Sequence, residues 1–234
     1  MTVNRLGQPI GEPLPEWVGC EAPSRTTIQG HYCRLEPLDI ERHGPQLFDA
    51  YRADQDGRIW TYLPFGPFDS PHELTVCLKT DFSGADPLCF VIVDNRTNLA
   101  LGMASYMRIV PSHGVIEVGA LTYSPLLQQT PMSTEAMYLM MKRAFDDLGY
   151  RRYEWKCDVL NEPSRNAAER LGFRFEGIFR QATVYKHRNR DTAWFSILDS
   201  EWPILRSAFE QWLSPANFDA DGKQIRSLAS LRPN

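Results

Sequence analysis

The sequence predicts one mixed α/β domain, a twisted and largely antiparallel sheet flanked by helices. Three observations carry that expectation. Three β-like runs at 88–94, 99–109 and 114–124 follow one another through the hairpin-sized links NRTN and PSHG. A helix at 131–148 then sets Met137, Met140, Met141, Ala144 and Leu148 on one face. After Gly149 the pattern alternates again: a strand, a short helix and two more strands.

The elements can be justified in order. Residues 1–29 are rich in Pro and Gly and read as an extended arm, with Trp17 placed to pin it to the body. Residues 31–37 alternate apolar and polar, as a strand does. Residues 39–53 carry Ile40, Leu47, Phe48 and Tyr51 at helical spacing. The aromatic run RIWTYLPFGPF is closed by Gly66 and Pro67, and a second helix starts after Asp69 or Ser70 with Pro71 just inside it. Beyond the three strands and the 131–148 helix, RYEWKCD (152–158) sets Tyr153, Trp155 and Cys157 against charged neighbours. A helix at 162–171 buries Ala167, Ala168 and Leu171, with Gly172 at its end. FRFEGIFRQ and TAWFSIL are strands joined through HRNRD, and 200–213 is helical. The last twenty residues are polar and are expected to be loosely held. The division expected is an arm (1–29), a main domain (30–200), and a C-terminal helix and tail packed on it (201–234).

Composition bounds the function. Hydrophobic residues make up 43% of the chain, enough for a sizeable core. Lys and Arg number 25 against 29 acidic residues, with no block of like charge, so the basic footprint of a nucleic-acid binder is missing. Five widely spaced cysteines without a CxxC pair read as reduced packing thiols. The N-terminal stretch has no apolar leader, and no run of about 18 apolar residues occurs. The expectation is a soluble cytoplasmic protein that neither spans a membrane nor holds a metal; DADG at 219–222 lacks calcium-loop spacing.

Three features carry chemistry. In LLQQTPMSTEAM (126–137), Thr130 is a suitable N-cap and Pro131 falls at N1, where its missing N–H costs nothing. The N–H groups of Met132, Ser133 and Thr134, with the hydroxyls of Thr130, Ser133 and Thr134, would make an anion site at the positive end of the helix dipole; the alternative is an ordinary capped helix. In NEPSRNAAERLGF (161–173), Asn161 and Ser164 sit where a strand ends and a helix begins, either as ligand contacts or as a cap and its neighbour. Glu117 interrupts the apolar VIEVG, facing either solvent or a cleft.

In this order and spacing the features resemble the GNAT acetyltransferase superfamily, in particular its RimJ/RimL-like branch, over about residues 30–200. The family's pyrophosphate loop follows [RQ]-x-x-G-x-[GA], often with Thr-Glu-Ala after it. Here it runs Gln128-Gln129-Thr130-Pro131-Met132-Ser133 and then Thr134-Glu135-Ala136, with Pro131 where the first glycine belongs. Asn161, Ser164, Leu171-Gly172-Phe173 and the later Gly177 match the second element closely.

The resemblance implies a GNAT fold with splayed central strands, 114–124 and 152–158, around acetyl-CoA. It implies acetyl transfer by direct attack of an amine, from a small molecule or a protein N-terminus, in a ternary complex. Gln128, Gln129, Thr130, Met132, Ser133, Thr134 and Asn161 would hold the cofactor, and Glu117 would act as base, through water. Many members carry a Tyr four residues before the glycine of Leu-Gly-Phe; here that position is Ala168, which leaves Ser164 as the local acid candidate. Trp60, Tyr62, Phe65 and Phe68, with Trp194 and Ser196, lie where this family builds its acceptor pocket, although such a run is also ordinary core. Pro131 and Ala168 motivate a rival reading, a GNAT-fold acyl-CoA binder without turnover; a structural or interaction domain is the third.

Overall fold

The computed structural model describes residues 2–232. Eight strands form the main sheet: β3 (Ile28–Gln29), β4 (Cys33–Pro37), β5 (Leu88–Asp94), β6 (Ala100–Val110), β7 (Val115–Tyr123), β8 (Arg152–Asp158), β9 (Arg174–Tyr185) and β10 (Arg188–Leu198). Their order is β3-β4-β5-β6-β7-β8-β10-β9. Every neighbouring pair is antiparallel except β7 and β8, which run parallel. A separate ribbon pairs β1 (Thr2–Val3) with β2 (Pro9–Ile10).

Alternation along β5 explains the layering. Leu88, Phe90 and Ile92 enter one core, against α3 (Pro131–Lys142), α4 (Glu162–Leu171) and α5 (Trp202–Leu213). Cys89, Val91 and Val93 enter the other, against α1 (Ile40–Tyr51) and α2 (Pro71–Asp81). A strand covered on both faces reads as one continuous apolar run, as LCFVIV does. Each large side chain so buried contributes about 1.5–3 kcal/mol.

Helix starts follow their caps. Asp39 accepts from the Arg42 N–H, Ser70 from that of Glu73, Thr130 from that of Ser133 and Asn161 from that of Ser164. Gly172 closes α4 at φ +103°, and a Cβ there would stand 2.6 Å from Leu205, so Leu-Gly-Phe needs its glycine twice over. Buried Glu135 accepts hydrogen bonds from the amides of His31, Tyr32 and Cys33 at 2.7–2.8 Å. That clamp ties the start of β4 to α3 and explains why the strand begins at Cys33 and not at residue 31.

Three expectations need correction. The 131–148 helix is α3 followed by a π-helical turn, Arg143–Asp147, in which the Leu148 amide reaches back to the Arg143 carbonyl. HRNRD is not the last turn: β9 and β10 run longer, and the chain reverses at Lys186-His187, both with positive φ. A two-residue hairpin of that backbone normally recruits Asn-Gly. Here Lys186 donates to the Trp60 carbonyl and Arg188 to that of Thr61, which holds the turn from outside. The tail, finally, is not loosely held. Asn217 is buried, donating to the carbonyls of Trp212 and Arg226 and accepting from the Arg226 amide, and Leu228 is 1% exposed in the core.

The arm is fixed as well. Trp17 donates to the Ser112 carbonyl at 2.9 Å and lies under the Arg151 guanidinium. Arg143 gathers the carbonyl and hydroxyl oxygens of Ser24 and Thr26. Among the described residues no helix is long and apolar enough to cross a membrane.

Candidate active site

The parallel pair creates the site. β7 and β8 are in register from Val115/Arg152 to Val118/Trp155, and there the pairing stops, although β7 continues to Tyr123 and β8 to Asp158. Beyond Val118 the two strands diverge. β7 is also bulged: Met103 pairs with Thr122 and Ser105 with Gly119, so Ala120 and Leu121 together oppose Ala104. Ala120 has φ +49°. A bulge bends its strand and re-aims its backbone, here at the mouth of the gap. The opening leads into a cavity of about 1280 Å³ that reaches the start of α3, α4 and the C-terminal tail. A second cavity of about 380 Å³ lies on the other side, between Glu117, Tyr62 and Arg190. Leu121, Trp155, Asn161 and Ser164 line both.

At the first turn of α3 the structure refines the expected donor set. The Thr130 hydroxyl donates to the Leu127 carbonyl and the Ser133 hydroxyl to that of Thr130, both at 2.7 Å. Each has spent its one proton and cannot give it to an anion. Thr134 is buried and accepts from Arg170 at 3.0 Å. The Ser133 amide is taken by the Thr130 cap, and the Gln128 side-chain amide donates to the Tyr123 carbonyl. The Thr130 and Ser133 hydroxyls are therefore not free to donate, whereas Thr134 only accepts in these contacts. On the backbone, the amides of Gln129, Thr130 and Met132 have no partner among the described residues, and Gln129 lies in the left-handed region at φ +58°. Of these, Gln129 and Thr130 stand on the cavity wall at a helix N-terminus, where an anion is favoured.

Glu117 lies in the cleft and not in solvent, its side chain 9% exposed. Lys156 reaches it at 2.6 Å and Glu154 at 2.7 Å, while Arg108 approaches Glu117 at 3.5 Å. Arg152 continues the chain, pairing with both Glu154 and Glu176. The Lys156 ammonium also sits 3.7 Å from the centre of the Trp194 ring. Burial pushes the Glu117 carboxyl up, and Lys156 only partly offsets it. At Glu154 burial acts upward too, but hydrogen bonds from Lys156 and Arg152 outweigh it and hold the carboxyl low. Two neighbouring carboxylates are thus driven apart, which is the pattern of an acid–base site.

On α4 the Ser164 hydroxyl accepts from the Trp155 indole N–H at 3.0 Å. Indole nitrogen only donates, so the Ser164 proton is not spent on Trp155; the Cys157 sulfur lies within its hydrogen-bond reach. Asn161 spends its carbonyl oxygen on the Ser164 amide, and its NH₂ has no partner among the described residues. Ala168 is fully buried in the core and lines neither cavity.

The aromatic run divides. Trp60 is core, packed edge-on against Tyr51, Phe65 and Phe68. Tyr62 lines both cavities and donates to the Leu160 carbonyl, and Phe65 lines the smaller one. Ser196 turns away to donate to Glu176. Sequence reasoning missed Lys156, Glu154 and Arg170. The alternation of RYEWKCD marks its charged side as solvent-facing, yet Glu154 and Asp158 are both buried. The available signal was Glu117 itself, since a buried carboxylate demands a counter-ion on the neighbouring strand.

Comparison with known proteins agrees with this geometry. Residues 33–174 match the acetyltransferase (GNAT) domain family, so the chain belongs to the GNAT acetyltransferases, enzymes that move an acyl group from acyl-CoA. It is similar to a solved GCN5-related N-acetyltransferase from Brucella melitensis: 46% identity, 94% of this chain and 99% of that one covered, TM-score 0.92. A probable GNAT-family acetyltransferase from Chromobacterium violaceum shows 41% identity over 84% of this chain and 98% of its own, TM-score 0.78. A putative acetyltransferase from T. thermophilus shows 27% identity, with 79% and 95% covered and a TM-score of 0.71. No protein with a curated description matches.

Proposed function

We propose that the chain transfers an acetyl group from acetyl-CoA to a primary amine by direct attack in a ternary complex, in the manner of the RimJ/RimL-like branch. The observation that carries this reading is the β7/β8 divergence at Val118/Trp155. On either side of it lie the cavity bordered by the amides of Gln129 and Thr130 and the cavity bordered by the buried Glu117, which share Leu121, Trp155, Asn161 and Ser164.

The residues present suit such a ligand. The amides face phosphate charge at the α3 N-terminus. The backbone edge of residues 119–123, which has no partner on β8, takes the extended pantetheine arm and polarises the acyl oxygen. Acetyl-CoA supplies a thioester whose thiolate is a fair leaving group, since a thiol titrates near pH ~8.5. Glu117, with its carboxyl raised, accepts the proton of the attacking amine through water. Ser164, whose hydroxyl also lies within hydrogen-bond reach of the Cys157 sulfur, turns its proton toward the departing sulfur. Asn161 offers its NH₂ to the pantetheine. The smaller cavity, with Tyr62, Phe65 and Arg190, receives the amine, either a small molecule or a protein N-terminus.

The test is to mix the protein with acetyl-CoA and a panel of small amines and N-terminal peptides, following thermal stabilisation and thiol release together. Thiol release with at least one amine is expected. Stabilisation without release from any amine would leave an acyl-CoA binder instead. Absence of stabilisation would rule out the cofactor altogether.

A further inference from the structure

We infer that the acceptor is a free α-amino acid with an apolar side chain, whose carboxylate is taken by Arg190 while its amine faces Glu117. The inference rests on the acetyl-transfer reading above and narrows its acceptor, which otherwise spans small amines and protein N-termini. Register brings the two groups together. Glu117 pairs with Glu154 across β7 and β8, and Lys156 and Asp158 of β8 pair with Trp194 and Thr192 of β10. Alternation carries Arg190 to that same face, where its Nε donates to the Thr192 hydroxyl at 3.1 Å. Glu117 and Arg190 both line the smaller cavity.

Arg190 differs from Lys156, the other cation of that cavity. Lys156 is spent on Glu117 and Glu154. No carboxylate lies within salt-bridge distance of Arg190 among the described residues, and its two terminal nitrogens have no hydrogen-bond partner there. Asp158 is turned to the Leu160 amide at 2.9 Å and the Tyr185 hydroxyl at 2.8 Å. Asp191 shapes the bulge beside Arg190, accepting from the Gln181 amide at 2.7 Å and from Asn189 at 2.9 Å. A half-buried guanidinium with its fork free can hold a carboxylate by two parallel hydrogen bonds.

The rest of the lining fits the same acceptor. Asp81, Glu117 and Asp158 favour an ammonium, so with Arg190 the cavity carries both signs of a zwitterion. Leu63, Phe65, Phe82 and Met107 supply an apolar wall for the side chain. The loop that bears Leu63 and Phe65 is tied down on two sides, by Tyr62 to the Leu160 carbonyl and by Lys186 and Arg188 to the carbonyls of Trp60 and Thr61. A volume of about 380 Å³ behind it suits a small molecule. A protein N-terminus carries an amide where the amino acid has its carboxylate, and would leave Arg190 unpaired. In the reaction the neutral α-amino nitrogen bonds the acetyl carbon as the C–S bond breaks. Its proton passes to Glu117 through water, the sulfur leaves as the CoA thiolate, and the product is an N-acetyl amino acid.

Thiol release from acetyl-CoA tests this with leucine, methionine and phenylalanine, their amides, peptides beginning in the same residues, and matching amines without the carboxylate. Each amino acid is expected to exceed its three counterparts about tenfold or more in kcat/KM, with the difference in KM. Arg190→Gln should erase that preference and Arg190→Lys should keep part of it, a pattern that a damaged fold does not produce. If the amides or peptides are acetylated as well as the amino acids, or the preference survives Arg190→Gln, the inference fails alone. It also fails alone if only amines outside this panel release thiol. If no amine releases thiol, the proposed function falls with it.

Discussion

Lys156 holds two buried carboxylates with one ammonium, at 2.6 Å from Glu117 and 2.7 Å from Glu154. Removing one partner of a buried pair leaves an uncompensated charge, which costs more than the pair itself contributes. Lys156→Met should therefore lower unfolding stability by ~3 kcal/mol, read by denaturant titration, and push the Glu117 carboxyl higher still. The catalytic consequence follows from the sign. As the proposed base, Glu117 would act only when ionised, and burial already raises it. The acid limb of kcat/KM should thus lie above the ordinary carboxylate range, with activity rising as pH climbs through it, and Lys156→Met should move that limb to higher pH. Glu117→Gln should remove the limb and lower kcat by roughly 10²–10⁴-fold. A limb that survives the glutamine belongs to the amine substrate, and Glu117 is then not the base. Glu117 was legible as a charged residue in an apolar strand; Lys156 was not, because alternation alone cannot tell a solvated face from a paired one.

The start of α3 shows what an element adds to its residues. Sequence placed Thr130 at N-cap and Pro131 at N1, and the structure agrees. It could not show that two hydroxyls would give their protons to neighbouring carbonyls, because that depends on a turn closed by Leu127 and Gln128 onto Ser124. Pro131 is consequently a missing donor beside three usable amides. Pro131→Ala restores an N–H without disturbing the helical φ. It should raise acetyl-CoA affinity severalfold, on the order of 1 kcal/mol, while lowering the melting temperature, since proline no longer restricts the unfolded chain. The opposite signs are the point: equal affinity would make the proline a purely structural cap. β5 and β8 were read with their true ends, and β6 and β7 to within one residue at each end. The Lys186-His187 turn was not, because its positive φ values are imposed by contacts with Trp60 and Thr61 and not by turn residues.

At the scale of the whole molecule, the segments outside the central sheet decide how deep the site is. The arm is clipped by Trp17 and Arg143, and the tail by Asn217 and Leu228. Polar composition hid both, since each segment commits only a few apolar side chains, Leu228, Phe218 and Leu231 in the tail, and satisfies much of the rest through hydrogen bonds to turns. The tail is also a wall of the larger cavity, so its docking and ligand binding must be linked: whatever binds the docked form stabilises it. Leu228→Ala deletes a side chain only 1% exposed and should cost about 3 kcal/mol through the cavity it leaves. Because the tail is a small part of the core, the first consequence should be local opening of residues 217–228, seen as faster amide exchange there than in β5. Acetyl-CoA at about a hundred times its dissociation constant should return ~2.7 kcal/mol of that protection. If exchange in the tail ignores the ligand while the ligand demonstrably binds, the cofactor stops short of Trp212, and the tail closes the core without shaping the site.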